Sequence, residues 1–493
     1  MRKSLDHALS TGIPGLDEVL LGGLVPHATY LVEGDPGAGK TTLGLQFLLE
    51  GVRLGEPVLH ITLSESEAEL KGSAASHGWS LDGITIFELL NADEQAGAQG
   101  EYTMFHSSEV ELGESTRRIT EVVERTGAKR IVVDSIADMR MAAQNPLWFR
   151  RQLLELKRFF TAHGCTVLLL EEKPDSQTRT IAEGVLLLEQ VPAEFGGHRR
   201  RLRFLKVRRK QYLGGYHDFA ILTGGLKVFP RLIAREQHET FLSAEVTSGI
   251  PELDALTGGG LPRGSSTLIL GPSGVGKSTI SSRYLFSFIE EGGKAAVFLF
   301  DESNENFLTR ARGLGMDFAP HLQSGALRLQ QVDPGELSPG EFADTVIQMV
   351  NGGVRMVVLD SLGGYIYAMP SEQFLMLHMH ELLMALANRG VTTLMINTQH
   401  GLLGSQVQSD VDLSYLSDAI LLLRYFEALG EVRQAISMVK KRTGLHERTI
   451  RELKFEGGQI RIGEPLRQFQ GVLTGTPALT GPAAPDVKSD EKR

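Results

Sequence analysis

Two short segments have the residue types and spacing that bind phosphate. GDPGAGKT at 34–41 and GPSGVGKS at 271–278 both fit the pattern G-x-x-x-x-G-K-[ST] in full. Glycines let successive backbone N–H groups point at phosphate oxygens, and the helix that starts at the lysine adds its positive end. Each segment follows an apolar run and precedes a helical pattern, so we predict two loops that bind Mg-ATP. The predicted nucleotide contacts in these loops are Gly34, Gly37, Ala38, Gly39, Lys40, Thr41, Thr42, Gly271, Ser273, Gly274, Val275, Gly276, Lys277, Ser278 and Thr279.

The same loops carry the groups expected to hold the phosphates and a metal ion. Lys40 and Lys277 are predicted to reach the β- and γ-phosphates, and the hydroxyl that follows each lysine to bind Mg²⁺. An aspartate ends a later apolar strand in both halves, in RIVVD and in MVVLD. It suits a carboxylate that supports Mg²⁺, although such a residue can also cap the following turn. The predicted magnesium ligands are Thr41, Asp134, Ser278 and Asp360.

Hydrolysis and phosphate transfer also need a group that orients or deprotonates the attacking oxygen. The candidates follow the next apolar strand: Glu65 in ITLSES, and the pair Asp301 and Glu302 in LFDESN. A pair of carboxylates can divide two tasks, one accepting a proton and the other holding geometry. Ser64 leaves the first site with a single carboxylate. Solvated acids on a surface loop are the alternative interpretation.

Basic clusters occur late in both halves, in FLKVRRKQ at 204–211 and in MVKKRTGLHE at 438–447. They could contact DNA phosphates, the γ-phosphate of a nucleotide on a neighbouring subunit, or only solvent. Both clusters recur in register with a nucleotide-binding unit, which favours the neighbour's nucleotide. Such an arrangement would make the activity depend on a ring of subunits.

The elements that position these groups form a unit that occurs twice. Lys40 recurs 237 residues later as Lys277, whereas Asp134 recurs 226 residues later as Asp360, so the first copy has 11 extra residues. We place them in a polar surface loop at 92–108. Near-continuous apolar strands alternate with helices in each copy, which predicts an α/β fold with a mostly parallel sheet covered on both faces. The predicted limits are domains at 1–235 and 243–475, a linker at 236–242 and a disordered tail at 476–493.

Composition excludes several classes of protein. The chain has 493 residues, of which 42% are hydrophobic and 22% charged, as is ordinary for soluble globular domains. A net charge of −10 argues against a dominant nucleic-acid surface, though not against a local basic patch. The one cysteine, Cys165, excludes an intramolecular disulfide and a multi-cysteine zinc site. Without a signal-like N-terminus or an apolar run of membrane-spanning length, we expect a cytoplasmic protein with no membrane contact.

The chain resembles the KaiC family, clock-associated ATPases and autokinases built from two tandem RecA-like P-loop domains, over about residues 4–477. The resemblance lies in STGIPGLDEVL, SGIPELDALTGGGLPRG, VVLDSLGGY, LSYLSDAILLLRYFE and KKRTGLHERTIREL. It implies a double-ring homohexamer with ATP and Mg²⁺ between subunits. The first ring would be mainly an ATPase, and the second would phosphorylate its own hydroxyl residues and reverse the transfer. Lys206 and Arg208, and Lys440 and Arg442, match the family's K-x-R contact to the neighbour's nucleotide.

The same matching implies the phospho-acceptors. The family's neighbouring serine and threonine fall at Ser414 and Tyr415, and a further threonine that shuttles phosphate falls at Ser409. Ser414 is therefore the expected acceptor, and Tyr415 is a second candidate whose hydroxyl stands farther from the backbone.

The catalytic carboxylates also depart from the family pattern. Asp301 takes the position of the kinase base, a glutamate in the family, and Glu302 is retained. In the first copy the glutamate pair becomes Ser64 and Glu65. These departures indicate a divergent member.

The resemblance also implies partners, namely KaiB-like, KaiA-like or two-component signalling proteins. Two other functions remain open at this stage. A DNA-acting recombinase or helicase of RecA type would need basic DNA loops or an accessory DNA domain, and neither stands out. A nucleotide-gated scaffold with little catalysis is the second, and Ser64 keeps it open.

Overall fold

The chain folds as two units that divide between Arg231 and Leu232. The computed structural model describes residues 8–89, 108–143, 145–174, 176–192, 196–233, 241, 244–333, 335–367, 374–399, 414–428, 430–473 and 478–479. Nearly all of the loop expected at 92–108 and of the linker expected at 236–242 lies outside the described residues. The limits 235 and 243 therefore stay predictions.

Nine strands form the sheet of the first unit, in the order β3-β2-β4-β5-β1-β6-β7-β8-β9. They are β1 (Thr29–Gly34), β2 (Val58–Thr62), β3 (Ile84–Glu88), β4 (Arg130–Asp134), β5 (Thr166–Glu171), β6 (Gly184–Val191), β7 (Arg199–Val207), β8 (His217–Leu222) and β9 (Gly225–Phe229). The first six strands in this order are parallel to their neighbours, and the last three are antiparallel. The parallel strands thus end together at a carboxyl edge, which includes Gly34 and Asp134. They begin together at an amino edge, which includes Thr29.

Helices cover both faces of this sheet. They are α1 (Leu16–Val19), α2 (Lys40–Arg53), α3 (Glu67–Ser76), α4 (Ser108–Thr126), α5 (Ile136–Ala142), α6 (Pro146–Ala162) and α7 (Ser176–Ile181). One apolar core lies between the sheet and the side of α2, and a second lies between the sheet and α4, α5 and α6. Strands β1, β2, β4 and β5 are buried along their whole length, which explains their near-continuous apolar sequences.

The second unit repeats this arrangement. Its large sheet has the order β14-β13-β15-β16-β12-β17-β18-β19-β20, which matches the first unit strand for strand. The strands are β10 (Glu245–Val246), β11 (Leu261–Pro262), β12 (Ser266–Gly271), β13 (Ala295–Leu299), β14 (Leu327–Gln331), β15 (Met356–Asp360), β16 (Thr392–Thr398), β17 (Ala419–Ala428), β18 (Glu431–Lys441), β19 (Ile450–Glu456), β20 (Gln459–Pro465), β21 (Phe469–Gln470) and β22 (Ala478–Leu479). The helices are α8 (Pro251–Thr257), α9 (Lys277–Glu290), α10 (Asn304–Arg312), α11 (Ala319–Gln323), α12 (Pro339–Asn351), α13 (Leu362–Tyr367) and α14 (Leu375–Ala387).

The predicted fold class is confirmed, since two mostly parallel sheets are each covered by helices. The predicted tail is ordered at one point, because β22 pairs antiparallel with β21. The rest of the tail lies outside the described residues apart from this strand, and its disorder stays a prediction. No helix within the described ranges is both long and apolar enough to cross a membrane.

Candidate functional site

Each phosphate loop joins the carboxyl end of a central strand to the helix that follows, β1 to α2 in the first unit and β12 to α9 in the second. All predicted loop contacts, at 34–42 and 271–279, lie in or beside these two turns. Gly39 and Gly276, which precede the lysines, have φ values of 98° and 103°, a backbone conformation that favours glycine. A Cβ on Gly276 would also stand 2.3 Å from Phe455 Cζ. The backbone path therefore requires glycine at this motif position.

The loop lysines lie against the carbonyl groups of their own loops. Lys40 Nζ donates to the carbonyl oxygens of Gly34 at 2.7 Å and Asp35 at 3.1 Å, and Lys277 Nζ donates to that of Pro272 at 2.7 Å. Burial lowers the pKa of Lys40, and it lowers the pKa of Lys277 to about 8. Each ammonium group is thus only partly solvated, and an incoming phosphate would displace little water from it.

A hydroxyl and a buried carboxylate face each other beside each loop. Thr41 Oγ1 donates to Asp134 Oδ2 at 2.7 Å, and Ser278 hydrogen-bonds the Asp360 carboxylate. Burial raises the pKa of both aspartates, and these hydrogen bonds lower it in part. Asp360 Oδ2 is buried and has no hydrogen-bond partner within the described part of the chain. A carboxylate oxygen with spare lone pairs beside a hydroxyl is a donor set that fits Mg²⁺ completed by phosphate oxygens and water.

Glu65 lies next to this carboxylate in the first unit. Strands β2 and β4 are neighbours with Thr62 opposite Asp134, which brings the turn after β2 to the carboxyl edge. Thr62 Oγ1 donates to the Glu65 carbonyl at 2.6 Å and accepts from the Glu65 N–H at 3.0 Å, which fixes that turn. Desolvation raises the pKa of the Glu65 carboxyl, and the carboxylates of Asp134 and Glu69 raise it further.

The carboxylate pair of the second unit occupies the same place after β13. The Ser361 hydroxyl donates to Asp301 Oδ2, and Arg310 Nη2 donates to Glu302 Oε2 at 2.8 Å. Desolvation raises the pKa of Glu302, the Arg310 charge lowers it, and the Asp360 carboxylate raises it. The site can therefore keep one carboxylate tied to a cation while the other keeps only a hydroxyl partner.

The basic residues of the K-x-R motif in the first unit lie toward the opposite edge of the sheet. Arg208 N donates to the carbonyl of Glu183, and Glu183 N donates to that of Thr29, so Arg208 is level with the first residue of β1. Lys206 Nζ donates to the carbonyls of Arg179 and Thr180 at the end of α7. Because β1 rises about 3.3 Å per residue, Arg208 is about 16 Å along the strand direction from the phosphate loop of its own unit.

The second unit shows the same separation. Arg442 N donates to the carbonyl of Asp418, and Asp418 N donates to that of Ser266, which places Arg442 level with the first residue of β12. The Arg442 guanidinium also pairs with the Asp418 carboxylate at 3.1 Å. Lys440 lies opposite Ile420, one residue farther along β17.

The expected phospho-acceptor is beside these cations. A 3₁₀ turn, Ser414–Leu416, precedes β17, and Lys440 Nζ donates to the carbonyls of Ser414 and Ser417, each at 2.7 Å. Ser414 is half-buried, and Tyr415 is 51% exposed. Ser409 lies outside the described residues.

The predicted site residues thus fall into two sets in each unit. The structure brings the loop, the magnesium ligands and the carboxylates together at the carboxyl edge. It brings the K-x-R cations, and in the second unit Ser414, together toward the amino edge. It does not bring the two sets together within one unit.

Two side chains at the site were not predicted from the sequence. Ser361 is the residue after Asp360, and its position in the motif gives no indication that it contacts Asp301. Arg310 lies eight residues after Glu302, beyond a turn and the start of α10. Comparison of the two copies could have found it, because Ser73 stands at the matching position of the first unit.

Comparison with known proteins agrees with this geometry. The family model described as "ATPase: KaiC" matches residues 9–233 and 246–467. The chain is 28% identical over 491 residues to circadian clock protein KaiC3 of Synechocystis sp., covering 96% of this chain and 95% of that protein. It is 27% identical over 494 residues to circadian clock oscillator protein KaiC of Acaryochloris marina, covering 98% and 92% respectively. It is also 27% identical over 480 residues to circadian clock oscillator protein KaiC of Thermosynechococcus vestitus, covering 95% and 91%.

Proposed function

The chain belongs to the KaiC family of tandem RecA-like ATPases, and on this basis we propose that it is an autokinase and autophosphatase that works as a double-ring hexamer. Each unit binds Mg-ATP at its phosphate loop, and the K-x-R cations of a neighbouring subunit complete the site. The first ring mainly hydrolyses ATP. The second ring transfers phosphate to Ser414 and can return it.

The observation that carries this proposal is the division of the site between two edges of one sheet. Arg208 and Arg442 are level with the first residues of the central strands, whereas the phosphate loops follow the last residues. A cation that assists phosphate transfer must reach the γ-phosphate. Since the K-x-R cations do not face the loop of their own unit, a neighbouring chain is the partner whose loop they can serve.

The same division applies to phosphate transfer in the second unit. The Ser414 hydroxyl oxygen of one chain attacks the γ-phosphorus of ATP held by the neighbour, and the bond from that phosphorus to the β,γ-bridging oxygen breaks, so that ADP leaves. Asp301 of the neighbour accepts the hydroxyl proton. Bound Mg²⁺ neutralises negative charge on the phosphate oxygens, and Ser278 and Asp360 would hold it. The reverse transfer to ADP restores the Ser414 hydroxyl.

Phosphoserine at 414 would form next to a cation. Phosphorylation adds a charge of about −1.5 to −2 at pH 7, and Lys440 is already bonded to the Ser414 carbonyl. Tyr415 and Ser409 are the further proposed acceptors. The exposure of Tyr415 leaves its hydroxyl accessible.

Subunit mixing tests the transfer between chains. A tagged Lys277→Ala chain cannot hold ATP at its second loop but keeps Ser414, and an untagged Ser414→Ala chain has the opposite defect. We expect neither variant alone to incorporate labelled phosphate at position 414. We expect the mixture to label the tagged chain.

Three results would contradict the proposal. Transfer within one chain would leave the mixture unlabelled although the wild type is labelled. ATP turnover only in the presence of DNA would favour a DNA motor. Rings that assemble with ATP but neither hydrolyse it nor become labelled would favour a scaffold.

A further inference from the structure

The two neighbouring carboxylates of the second unit are held in different ways. Arg310 holds Glu302 by an ion pair with an N–O distance of 2.8 Å, whereas Asp301 accepts a hydrogen bond from the Ser361 hydroxyl. A hydroxyl can rotate away from a carboxylate and be replaced by another donor. Asp301 therefore keeps access to an incoming O–H group, and Glu302 does not while its ion pair persists.

Arg310 is itself fixed in position. Its guanidinium carbon lies 5.6 Å from the centre of the Phe307 ring, and Phe307 is buried and stacks on Phe318. The side chains of Arg310 and Glu302 are 31% and 26% exposed, so water screens this ion pair only in part. The pair thus has a defined geometry, unlike a pair of long side chains in solvent.

Arg310 also supplies positive charge to a cluster of acids. Glu302 faces Arg310 from α10 and the Asp360 carboxylate from the end of β15, and Asp301 is its neighbour in the chain. The Arg310 charge acts on Asp360 as well. One guanidinium therefore offsets repulsion among carboxylates that must stay close together.

The first unit has no counterpart of this cation. By the shift of 237 residues, Glu65 corresponds to Glu302 and Ser73 on α3 corresponds to Arg310. The charged groups that act on Glu65 are Asp134 and Glu69, and both are negative. Glu65 is consequently not held in the way that Glu302 is.

We propose that Arg310 is a positioning residue that keeps Glu302 from activating water and reserves proton transfer in the second unit for Asp301. The serine at position 73 leaves Glu65 free to accept a proton from water. The difference between transfer to a hydroxyl and hydrolysis thus depends on one cation. This inference rests on the proposed autokinase activity of the second unit.

The test in the second unit measures how ATP is partitioned. In a Glu65→Gln background, Arg310→Ser is expected to lower the ratio of phosphoserine formed to ADP released about tenfold, with KM for ATP unchanged. Arg310→Lys should restore most of this ratio. Arg312→Ser is the matched control, because Arg312 lies on the same helix and its side chain is 65% exposed.

A double-mutant cycle shows whether Arg310 acts through Glu302. In a Glu302→Gln background, Arg310→Ser should have no further effect on the ratio. The inference is overturned if the two effects multiply, if Arg310→Lys restores nothing, or if Arg312→Ser has the same effect.

A reciprocal variant tests the inference without phosphate transfer. Ser73→Arg should tie Glu65 to α3 and lower ATP hydrolysis about tenfold, whereas Ser73→Gln, a neutral side chain, should change it little. Equal hydrolysis by the two variants overturns the inference. A wild type that never labels Ser414 overturns the proposed autokinase, and the comparison at position 73 still decides the role of the cation.

Discussion

His60 is a buried base in the first unit whose removal should stabilise that unit, most of all in acid. It lies in the middle of β2, opposite Val132 and Ile86, and is 0% exposed. Both ring nitrogens are buried without a hydrogen-bond partner in the described residues, and burial lowers the pKa of His60 to about 4. The matching residue of the second unit is Val297, which shows that this fold accepts valine at the position.

The magnitude follows from the two costs of this imidazole. At neutral pH the folded protein holds it uncharged, and leaving a buried polar group unpaired costs about 1–3 kcal/mol, which His60→Val removes. Because the folded-state pKa is lowered, the unfolded chain binds more protons between pH 6.5 and about 4. The wild type therefore loses up to ~3 kcal/mol more than the variant as pH falls through this window, at 1.36 kcal/mol per unit of pKa difference.

The assay is urea unfolding followed by tryptophan fluorescence. Both tryptophans of the chain, Trp79 and Trp148, lie in the first unit, so this signal reports the unit that contains His60. Other groups that titrate in the window contribute equally to the wild type and to His60→Val, and the difference between the two curves isolates His60. Parallel stability curves from pH 7.5 to pH 4.5 would refute the reasoning. Val297→His, the matched control, should destabilise the second unit without moving the tryptophan transition.

Three further predictions concern catalysis, packing and nucleotide binding. Glu65→Gln should lower bulk ATP hydrolysis about 100-fold while autophosphorylation stays measurable, and Asp301→Asn should do the reverse; equal loss of both activities in both variants would contradict the division of labour. Glu56→Gln should destabilise the first unit by about 3 kcal/mol in the same fluorescence assay, because it leaves the fully buried Arg130 guanidinium without its counter-charge. Gly276→Ala should abolish one of the two ATP sites per chain in calorimetric titration, since its Cβ would meet an aromatic ring at 2.3 Å; an unchanged stoichiometry would argue against the required loop conformation.

Local features of the site could be predicted because they depend on few residues. The glycines before Lys40 and Lys277 are required by the backbone of the turn itself, and the aspartates follow from the end of an apolar strand. The repeat added strength, since each group was found twice at a constant spacing. The strand order follows the same logic, because alternating apolar strands and helices predict a parallel sheet.

Features that depend on register across the sheet could not be predicted in this way. The sequence shows that Arg208 follows a basic strand, but only the pairing of β7 with β6 and of β6 with β1 places it level with Thr29. The Arg310–Glu302 pair depends on the direction in which α10 leaves the strand. The burial of His60 was hidden for a similar reason, because a histidine within VLHIT is equally compatible with a polar partner on a neighbouring strand.

The separation of the two edges has a consequence for mixed populations of subunits. In the proposed ring every subunit takes part in two sites, as holder of the nucleotide in one and as acceptor in the next. A subunit that lacks both roles therefore silences the sites on either side of it. If such subunits exchange freely into the ring, activity falls as the square of the intact fraction and not in proportion to it. A minority of damaged or truncated chains in a cell would act as a dominant inhibitor of the whole pool.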